Sequence, residues 1–410
     1  DYPELIPYSY CPANRYIWTL LDPEKYHMGY MPEMFISFGS SLFSKGGDPE
    51  VIAEALAKIP FMVHYTYAED EMAMMSDIIL PDRTNVEQNV FFENAAYRPG
   101  NGELGRCYVG HTQIIEPVYG QMHPDDFFLQ LADKVGFLRG NGMNCLEFAM
   151  NKRWGLDAAH ELDTTRSYTI DEMQERRMKN AFGDEASWDV LAETGYYKVE
   201  LEEQDQYNYS AFPGKQTRHP LYNIAVVKAK KQLQEGLAAA GIDYPLGQEF
   251  MDDIEFYYQG FPQWKPTPVM DVGEGFDLNG VVFKIPQFLF DVSGCVQNPL
   301  LVETAYSDDM LGKILLNPAT AERKGLADGD MVYVQSQYGT EIGPYPVKVT
   351  ELVHPDAMGV AGGNARYSAN LDPLVERHVK YNKLMSTAYE AVDVVSGGLE
   401  VSPAVRLVKA

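Results

Sequence analysis

The order of predicted strands and helices near the start of the chain limits its fold more than any other feature. Three short apolar runs predict strands, at 34–38, 61–65 and 77–80. Between the first two, Asp48 and Pro49 predict a helix start, because aspartate caps free backbone N–H groups and proline suits the first turn. A strand, a helix and a strand joined by short links predict parallel strands with a right-handed crossover. The sequence therefore predicts an α/β domain with a parallel sheet.

Small or polar residues follow each of these predicted strands. Gly39 and Ser40 follow the first, Thr66 follows the second, and a loop that leads to Glu87 follows the third. Ligands of parallel sheets bind beyond the carboxyl ends of the strands, so these loops are candidate ligand contacts. Ordinary loops use the same residue types, and the residues alone leave that alternative open.

The last third of the chain changes to a β pattern. Short apolar runs alternate with turn residues over 326–360, after a short predicted helix that ends at Gly325. Asp328 and Asp330 could pair as metal ligands, but their place around Gly329 before a strand favours a tight turn. The pattern predicts a small closed β-barrel with a helix in its first crossover.

Charge and composition exclude several classes of function. Lys and Arg number 33 against 59 Asp and Glu, which gives a net charge of −26 and opposes binding to nucleic acid or to anionic lipid. No apolar run approaches the ~20 residues of a membrane helix, so no direct membrane span is expected. The four cysteines lie too far apart in sequence to predict a zinc or iron–sulfur site. Common catalytic motifs, such as a Walker loop or a nucleophile elbow, are absent from the sequence.

Several segments carry a family pattern in a fixed order. The first is EDEMAMMSDIILPDRTNVE, whose pattern positions are Glu71, Ala73, Asp77, Leu80, Pro81 and Glu87. The others are LLNPATAERKGLADGDMVYVQSQYG, NKLMSTAYEAVDVVSGGLEVSPAVRLVK and, more weakly, TQIIEPVYGQMHPDDFFLQLADKVG. Together they resemble the C-terminal half of the molybdopterin oxidoreductase (DMSO reductase-like) family. Asp70 and Met72 depart from the family pattern, which has threonines at these positions.

The resemblance implies the cofactor and the partners. Such enzymes hold molybdenum or tungsten with bis-molybdopterin guanine dinucleotide, and no protein ligand to the metal is predicted in this chain. A 4Fe-4S cluster is expected in the missing N-terminal half or in a companion chain, and an electron-transfer iron–sulfur subunit is a further expected partner. The chain starts at Asp1, so any targeting signal would lie on the missing part. The compartment stays open between bacterial or archaeal cytoplasm and periplasm.

The resemblance also implies which residues contact the cofactor. The expected positions are Gly39, Ser40, Thr66, Asp70 and Glu87 near the sheet, and Ser293, Asn298, Gly363, Asn364 and Asn382 near the barrel. Thr66 stands where many members have an aspartate that reads guanine, and Asp70 puts a charge where a phosphate is expected. Amide side chains suit a pterin edge, and glycines allow close backbone approach. A simpler role, such as an asparagine that caps a turn, is the alternative at each position.

The predicted architecture is an α/β fold in three parts. Residues 1–140 form part of a Rossmann-like cofactor-binding domain with a parallel sheet. Residues 141–275 form a variable connecting region, and 276–410 form a double-psi β-barrel that binds the molybdopterin dinucleotide.

The predicted function is that of a C-terminal part or split subunit of a molybdenum or tungsten oxidoreductase, inactive alone. Its chemistry would be two-electron redox or oxygen or hydroxyl transfer at the metal. The segment after Glu87 departs from the common family pattern and is closer to the subgroup that acts on aromatic hydroxyls or performs non-redox hydration. Reduction of arsenate, thiosulfate or polysulfide stays open. The alternatives are a metal-free structural or electron-transfer relative in a respiratory complex and a plain ligand-binding α/β protein.

Overall fold

The computed structural model describes most of the chain in two compact units. The described residues are 15–26, 28–44, 46–94, 107–139, 144–198, 224–241, 252, 254–261, 263–264, 272–285, 296–362, 366–388, 391–392 and 398–410. Unit 1 comprises Asp1–Ile79 with Pro220–Ala410, and unit 2 comprises Leu80–His219. Among the described helices, none is long and apolar enough to cross a membrane. The domain boundaries at 140 and 275 stay a prediction.

Unit 1 contains a small sheet, a barrel and the helices around them. Its helices are α1 (Arg15–Leu21), α2 (Pro49–Leu56), α3 (Glu71–Met75), α7 (Ile224–Ala240), α8 (Pro299–Tyr306) and α9 (Pro318–Lys324). Its strands are β1 (Phe35–Phe38), β2 (Met62–Thr66), β7 (Leu278–Phe283), β8 (Ile314–Leu316), β9 (Met331–Ser336), β10 (Glu341–Val349), β11 (Ala357–Ala361) and β12 (Ala404–Lys409). Strand β3 (Ile78–Pro81) leads from this unit into the second.

The predicted parallel sheet is confirmed. Strands β1 and β2 pair in parallel with Phe35 opposite Met62, and the sheet order is β1-β2-β3. Helix α2 lies between them in sequence and begins where the pattern predicted, because the Asp48 side chain accepts a hydrogen bond from the Glu50 N–H at 2.9 Å. Its buried face packs in one core with α7, a helix within the region predicted to connect the two domains.

The predicted closed barrel is also confirmed. Its six strands follow the order β10-β8-β11-β7-β12-β9, with β8–β10 and β7–β11 as parallel pairs. Helix α9 begins at Asn317, whose Oδ1 accepts from the Ala319 N–H at 3.0 Å, and ends at Gly325 in the left-handed conformation. Gly329 has φ +84° and the Asp328 carboxylate accepts from the Val349 N–H. This segment is therefore the tight turn that the sequence indicated.

Unit 2 is built on an antiparallel sheet of β4 (Val90–Asn94), β5 (Cys107–His111) and β6 (Tyr196–Lys198). Its helices are α4 (Pro124–Lys134), α5 (Ile170–Phe182), α6 (Trp188–Thr194) and a π-helix at Leu146–Lys152. Helix α5 starts with a capping box, in which Thr169 and Glu172 satisfy each other's backbone N–H groups.

Candidate functional site

The carboxyl ends of β1 and β2 form the first part of the candidate site in unit 1. The Gly39 N–H donates to the Tyr65 carbonyl at 3.0 Å, so the loop after β1 starts against the end of β2. Gly39 has φ +56°, a conformation that favours glycine, and a Cβ at this position would meet no atom within 4 Å. The adjacent Ser40 carbonyl accepts from the Ser37 hydroxyl at 3.3 Å. This loop therefore presents open backbone at the strand end.

Thr66, the last residue of β2, is buried and uses its hydroxyl locally. Its Oγ1 donates to the Ala68 carbonyl at 3.0 Å and accepts from the Ala68 N–H at 3.2 Å. This ST-type turn shapes the link from β2 to α3. Contact between Thr66 and a guanine ring stays a prediction.

Asp70 caps helix α3, and its carboxylate lies close to the side chains of His64 and Arg366. Its Oδ1 accepts from the Ala73 N–H at 3.1 Å and lies 3.1 Å from His64 Nε2. Its Oδ2 lies 3.4 Å from Arg366 Nη2. Burial alone would raise the pKa of the Asp70 carboxyl, but the hydrogen bonds from His64 and the Ala73 N–H, with the charge of Arg366, hold it below its usual value. The negative charge of Asp70, at a position where the resemblance implies a neighbour of a phosphate, is thus compensated by Arg366 and by hydrogen bonds within the protein.

Glu71 lies next to Asp70 and holds a distant part of the chain. Its Oε1 accepts from the backbone N–H groups of Tyr367 at 2.6 Å and Ser368 at 3.2 Å. Its Oε2 accepts from the Ser41 hydroxyl at 2.8 Å and lies 3.3 Å from Arg366 Nη2. Glu71 matches the family pattern but was not predicted as a site residue, since nothing local in the sequence reveals a partner so far along the chain.

Four side chains therefore form a buried charge cluster: His64, Asp70, Glu71 and Arg366. Each is at most 5% exposed. The guanidinium of Arg366 lies between two carboxylates, which is the arrangement that makes buried charges tolerable. The cluster joins the β2–α3 corner to 366–368 within unit 1.

Asn382 also lies in unit 1 and is almost fully buried. Its Nδ2 donates to the Phe43 carbonyl at 3.1 Å. Nearby, Trp18 Nε1 donates to the Thr387 carbonyl at 2.7 Å, and Lys383 pairs with Glu50. The structure thus brings the predicted residues Gly39, Ser40, Thr66, Asp70 and Asn382 into one unit. Their contact with a cofactor stays a prediction.

The remaining predicted residues are placed differently. Asn298 is exposed and caps α8, accepting from the Leu300 N–H at 3.0 Å, which is the simpler role considered for it. Glu87 lies in unit 2, where its carboxylate accepts from the Thr84 and Val118 N–H groups, and these bonds lower its pKa. Ser293, Gly363 and Asn364 lie outside the described residues.

Some buried polar atoms of the described residues have no hydrogen-bond partner. Among them are Nδ1 of His64, both ring nitrogens of His378 and the hydroxyl of Tyr367. Burial, together with the positive charges of Lys380 and Arg366, lowers the pKa of His378 to about 3, so its ring is neutral at neutral pH. Such atoms call for an explanation, because proteins satisfy most buried polar groups. Sequence reasoning did not select these side chains.

The described residues contain no group of three or more His, Cys, Asp or Glu side chains that could hold a metal ion.

Comparisons with known proteins identify one domain and the fold. The family model described as "Molydopterin dinucleotide binding domain" matches residues 300–398. No curated protein matches the sequence.

Among solved structures, the chain is similar to acetylene hydratase from Pelobacter acetylenicus. The TM-score is 0.63 at 14% sequence identity, which is a likeness of fold. The match covers 97% of this chain and 46% of that chain, so this chain spans about half the length of that protein.

Residues 300–398 therefore match the molydopterin dinucleotide binding domain, which confirms the resemblance to molybdopterin enzymes drawn from the sequence.

Proposed function

We propose that this chain holds bis-molybdopterin guanine dinucleotide in a molybdenum or tungsten enzyme that performs two-electron redox or oxygen or hydroxyl transfer. The observation that carries the proposal is the family match over residues 300–398. When bound, the cofactor supplies the reaction at its metal, whereas the protein binds and orients it and excludes water.

The residues of unit 1 fit such a group. A pterin or a guanine presents donors and acceptors along its edge, and a neutral histidine offers one of each. The His378 ring and the Tyr367 hydroxyl are buried and have no hydrogen-bond partner among the residues that the structure describes. An unsatisfied buried polar group costs about 1–3 kcal/mol unless something bonds to it. The open space beside Gly39 allows a ligand to approach the backbone at the strand end.

We further propose that the metal's protein ligand and a 4Fe-4S cluster come from a companion polypeptide or from a further part of the same protein. The chain spans only 46% of acetylene hydratase, which supports this division. Ile78 and Ile79 of β3 are 43% and 46% exposed, so this strand offers apolar surface to a neighbour. An electron-transfer iron–sulfur subunit is a further proposed partner.

Among the reactions open to such an enzyme, non-redox hydration has two observations in its favour. The solved structure similar to this chain is a hydratase by name. The segment after Glu87 also departs from the common family pattern in the direction of that subgroup. We propose hydration as the first activity to assay.

The parallel pairs β8–β10 and β7–β11 support a double-psi barrel topology, which is also proposed.

Metal analysis of the natively purified assembly tests the proposal. We expect molybdenum or tungsten in near-stoichiometric amount. An assembly that contains the chain, binds guanine nucleotide and holds neither metal would instead be the metal-free structural or electron-transfer relative.

A further inference from the structure

We propose that Glu71 is a positioning residue of the dinucleotide site, because its carboxylate fixes the backbone of 366–368 against the carboxyl end of the parallel sheet. The inference rests on the proposed function and adds to it a residue that does not itself contact the cofactor.

The carboxylate of Glu71 is fully used by the protein. A carboxylate offers about four lone-pair sites. Two backbone N–H groups, from Tyr367 and Ser368, occupy Oε1, and Oε2 receives the Ser41 hydroxyl and faces Arg366. Glu71 is also buried. It therefore has no capacity left for a ligand, and its effect must pass through the segment it holds.

Other contacts hold the same segment in place. The Ser368 hydroxyl donates to the Glu69 carbonyl at 2.6 Å, a bond to the residues just before α3 that does not involve the Glu71 carboxylate. On the other side, Lys380 Nζ donates to the Arg366 carbonyl at 2.5 Å. Glu69 and Glu71 lie about three hundred positions before Tyr367 and Ser368 along the chain, so no local structure could replace their bonds.

The segment carries a group that needs a partner. Tyr367 gives its N–H to Glu71 and lies under Lys380, whose Nζ is 4.8 Å from the ring centroid. Its buried hydroxyl has no hydrogen-bond partner among the described residues. Because Glu71 fixes the backbone of Tyr367, it also fixes where this hydroxyl can meet a ligand. Charge-assisted hydrogen bonds are short and directional, which suits this task.

The test uses four variants of the protein in its native assembly. Glu71→Gln keeps an acceptor oxygen and removes the charge, Glu71→Ala removes both, and Ser368→Ala breaks the second bond without touching Glu71. Glu69→Gln is the matched control, since the Glu69 side chain is exposed and only its carbonyl contacts the segment. Hydrogen exchange of the amides at 366–370 measures how firmly Glu71 and Ser368 hold this segment. The guanine nucleotide released by acid measures how much cofactor is retained. Circular dichroism verifies that each variant is folded.

We expect exchange at Tyr367 and Ser368 to rise about tenfold in Glu71→Ala and less in Glu71→Gln, because the opening free energy falls as the bonds are lost. The content of guanine nucleotide should fall most in Glu71→Ala and less in Glu71→Gln. It should also fall in Ser368→Ala, whereas Glu69→Gln should match the wild type. Should Glu71→Ala fail to fold, Glu71→Gln and Ser368→Ala carry the test.

Two results would overturn the inference alone: unchanged exchange in the folded variants, or faster exchange with full nucleotide content in a loaded wild type. A wild-type assembly without any guanine nucleotide would instead refute the proposed function, and the inference with it.

Discussion

Asp70 and Glu71 are adjacent carboxylates that unit 1 buries together. Asp70 is stabilised by the N-terminal backbone of α3 and by His64, whereas Glu71 is stabilised by the backbone at Tyr367 and Ser368. Arg366 is the one cation paired with both in the described part of the chain. Its removal should therefore affect folding more than the loss of any surface charge.

Substitution of Arg366 by methionine tests this role, because methionine keeps much of the side-chain volume and removes the charge. We expect the free energy of unfolding to fall by about 3–5 kcal/mol, the cost of leaving buried carboxylates uncompensated. Urea unfolding followed by circular dichroism measures it. The same substitution at Arg153, which is exposed, should change the value by less than about 0.5 kcal/mol. Equal effects at the two positions would contradict the assignment.

His378 gives unit 1 a defined pH dependence. Its folded-state pKa, about 3, lies below the ordinary value near 6.5, so the unfolded chain binds the proton more readily. Protonation of His378 therefore does not reduce the free energy of unfolding above pH ~6.5, and it reduces this free energy progressively as the pH falls toward 3. Between pH 8 and pH 5 we expect His378 to lower the free energy of unfolding by about 2 kcal/mol.

Unfolding of His378→Gln at the two pH values provides the measurement. The wild type should lose more stability than the variant between pH 8 and pH 5. The exposed His354, changed to Gln, serves as the control and should keep the wild-type pH response. A His378 variant with the same response as the wild type would show that the histidine is not held neutral.

Among single elements, helix α9 depends on one side chain, Asn317, that both caps the helix and bonds a distant residue. Asn317 Oδ1 caps the helix, while its Nδ2 donates to the Val353 carbonyl at 2.9 Å. The Thr320 hydroxyl of the same helix bonds the Pro355 carbonyl. The helix thereby fixes the turn that precedes β11.

Asn317→Ala should lower the free energy of unfolding by about 2 kcal/mol, of which the cap and the buried hydrogen bond contribute about 1 kcal/mol each. Asn317→Ser keeps a cap oxygen and loses the donor to Val353, so it should recover about half of the loss. Thermal and urea unfolding of both variants measure this order. If serine proved as damaging as alanine, the cap would contribute nothing.

The elements were predictable where their signals are local. Helix α2 follows from an aspartate and a proline, α9 from an asparagine and a glycine, and the barrel from alternating apolar residues. Strand pairing in the sheet followed from short links between strand and helix.

The buried charge cluster was not predictable in the same way. Glu71 and Arg366 lie about three hundred residues apart, and Arg366 lies outside every helix and strand of the described chain. No periodicity marks such a pair. The lack of a partner at His378 is likewise a property of packing, which the sequence of one segment does not reveal.

At the scale of the whole molecule, residues near both ends of the chain meet in unit 1. Asn382 bonds Phe43, Trp18 bonds Thr387, and Lys383 pairs with Glu50. A site assembled from both parts depends on these contacts.

Asn382→Leu should therefore lower the guanine nucleotide content of the purified complex. Leucine has a similar volume but leaves the Phe43 carbonyl unsatisfied, at a cost of about 1–3 kcal/mol. Nucleotide released by acid, per folded chain, is the measurement. Asn370→Leu, at an exposed asparagine, is the control. Normal content together with normal activity in Asn382→Leu would refute the placement of Asn382 in the site.

The guanine nucleotide content of the natively purified wild-type assembly shows whether this chain holds a molybdopterin guanine dinucleotide. The bis form of the cofactor predicts about two guanine nucleotides released by acid for each copy of the chain. An intact, folded assembly from which acid releases no guanine nucleotide would contradict the account.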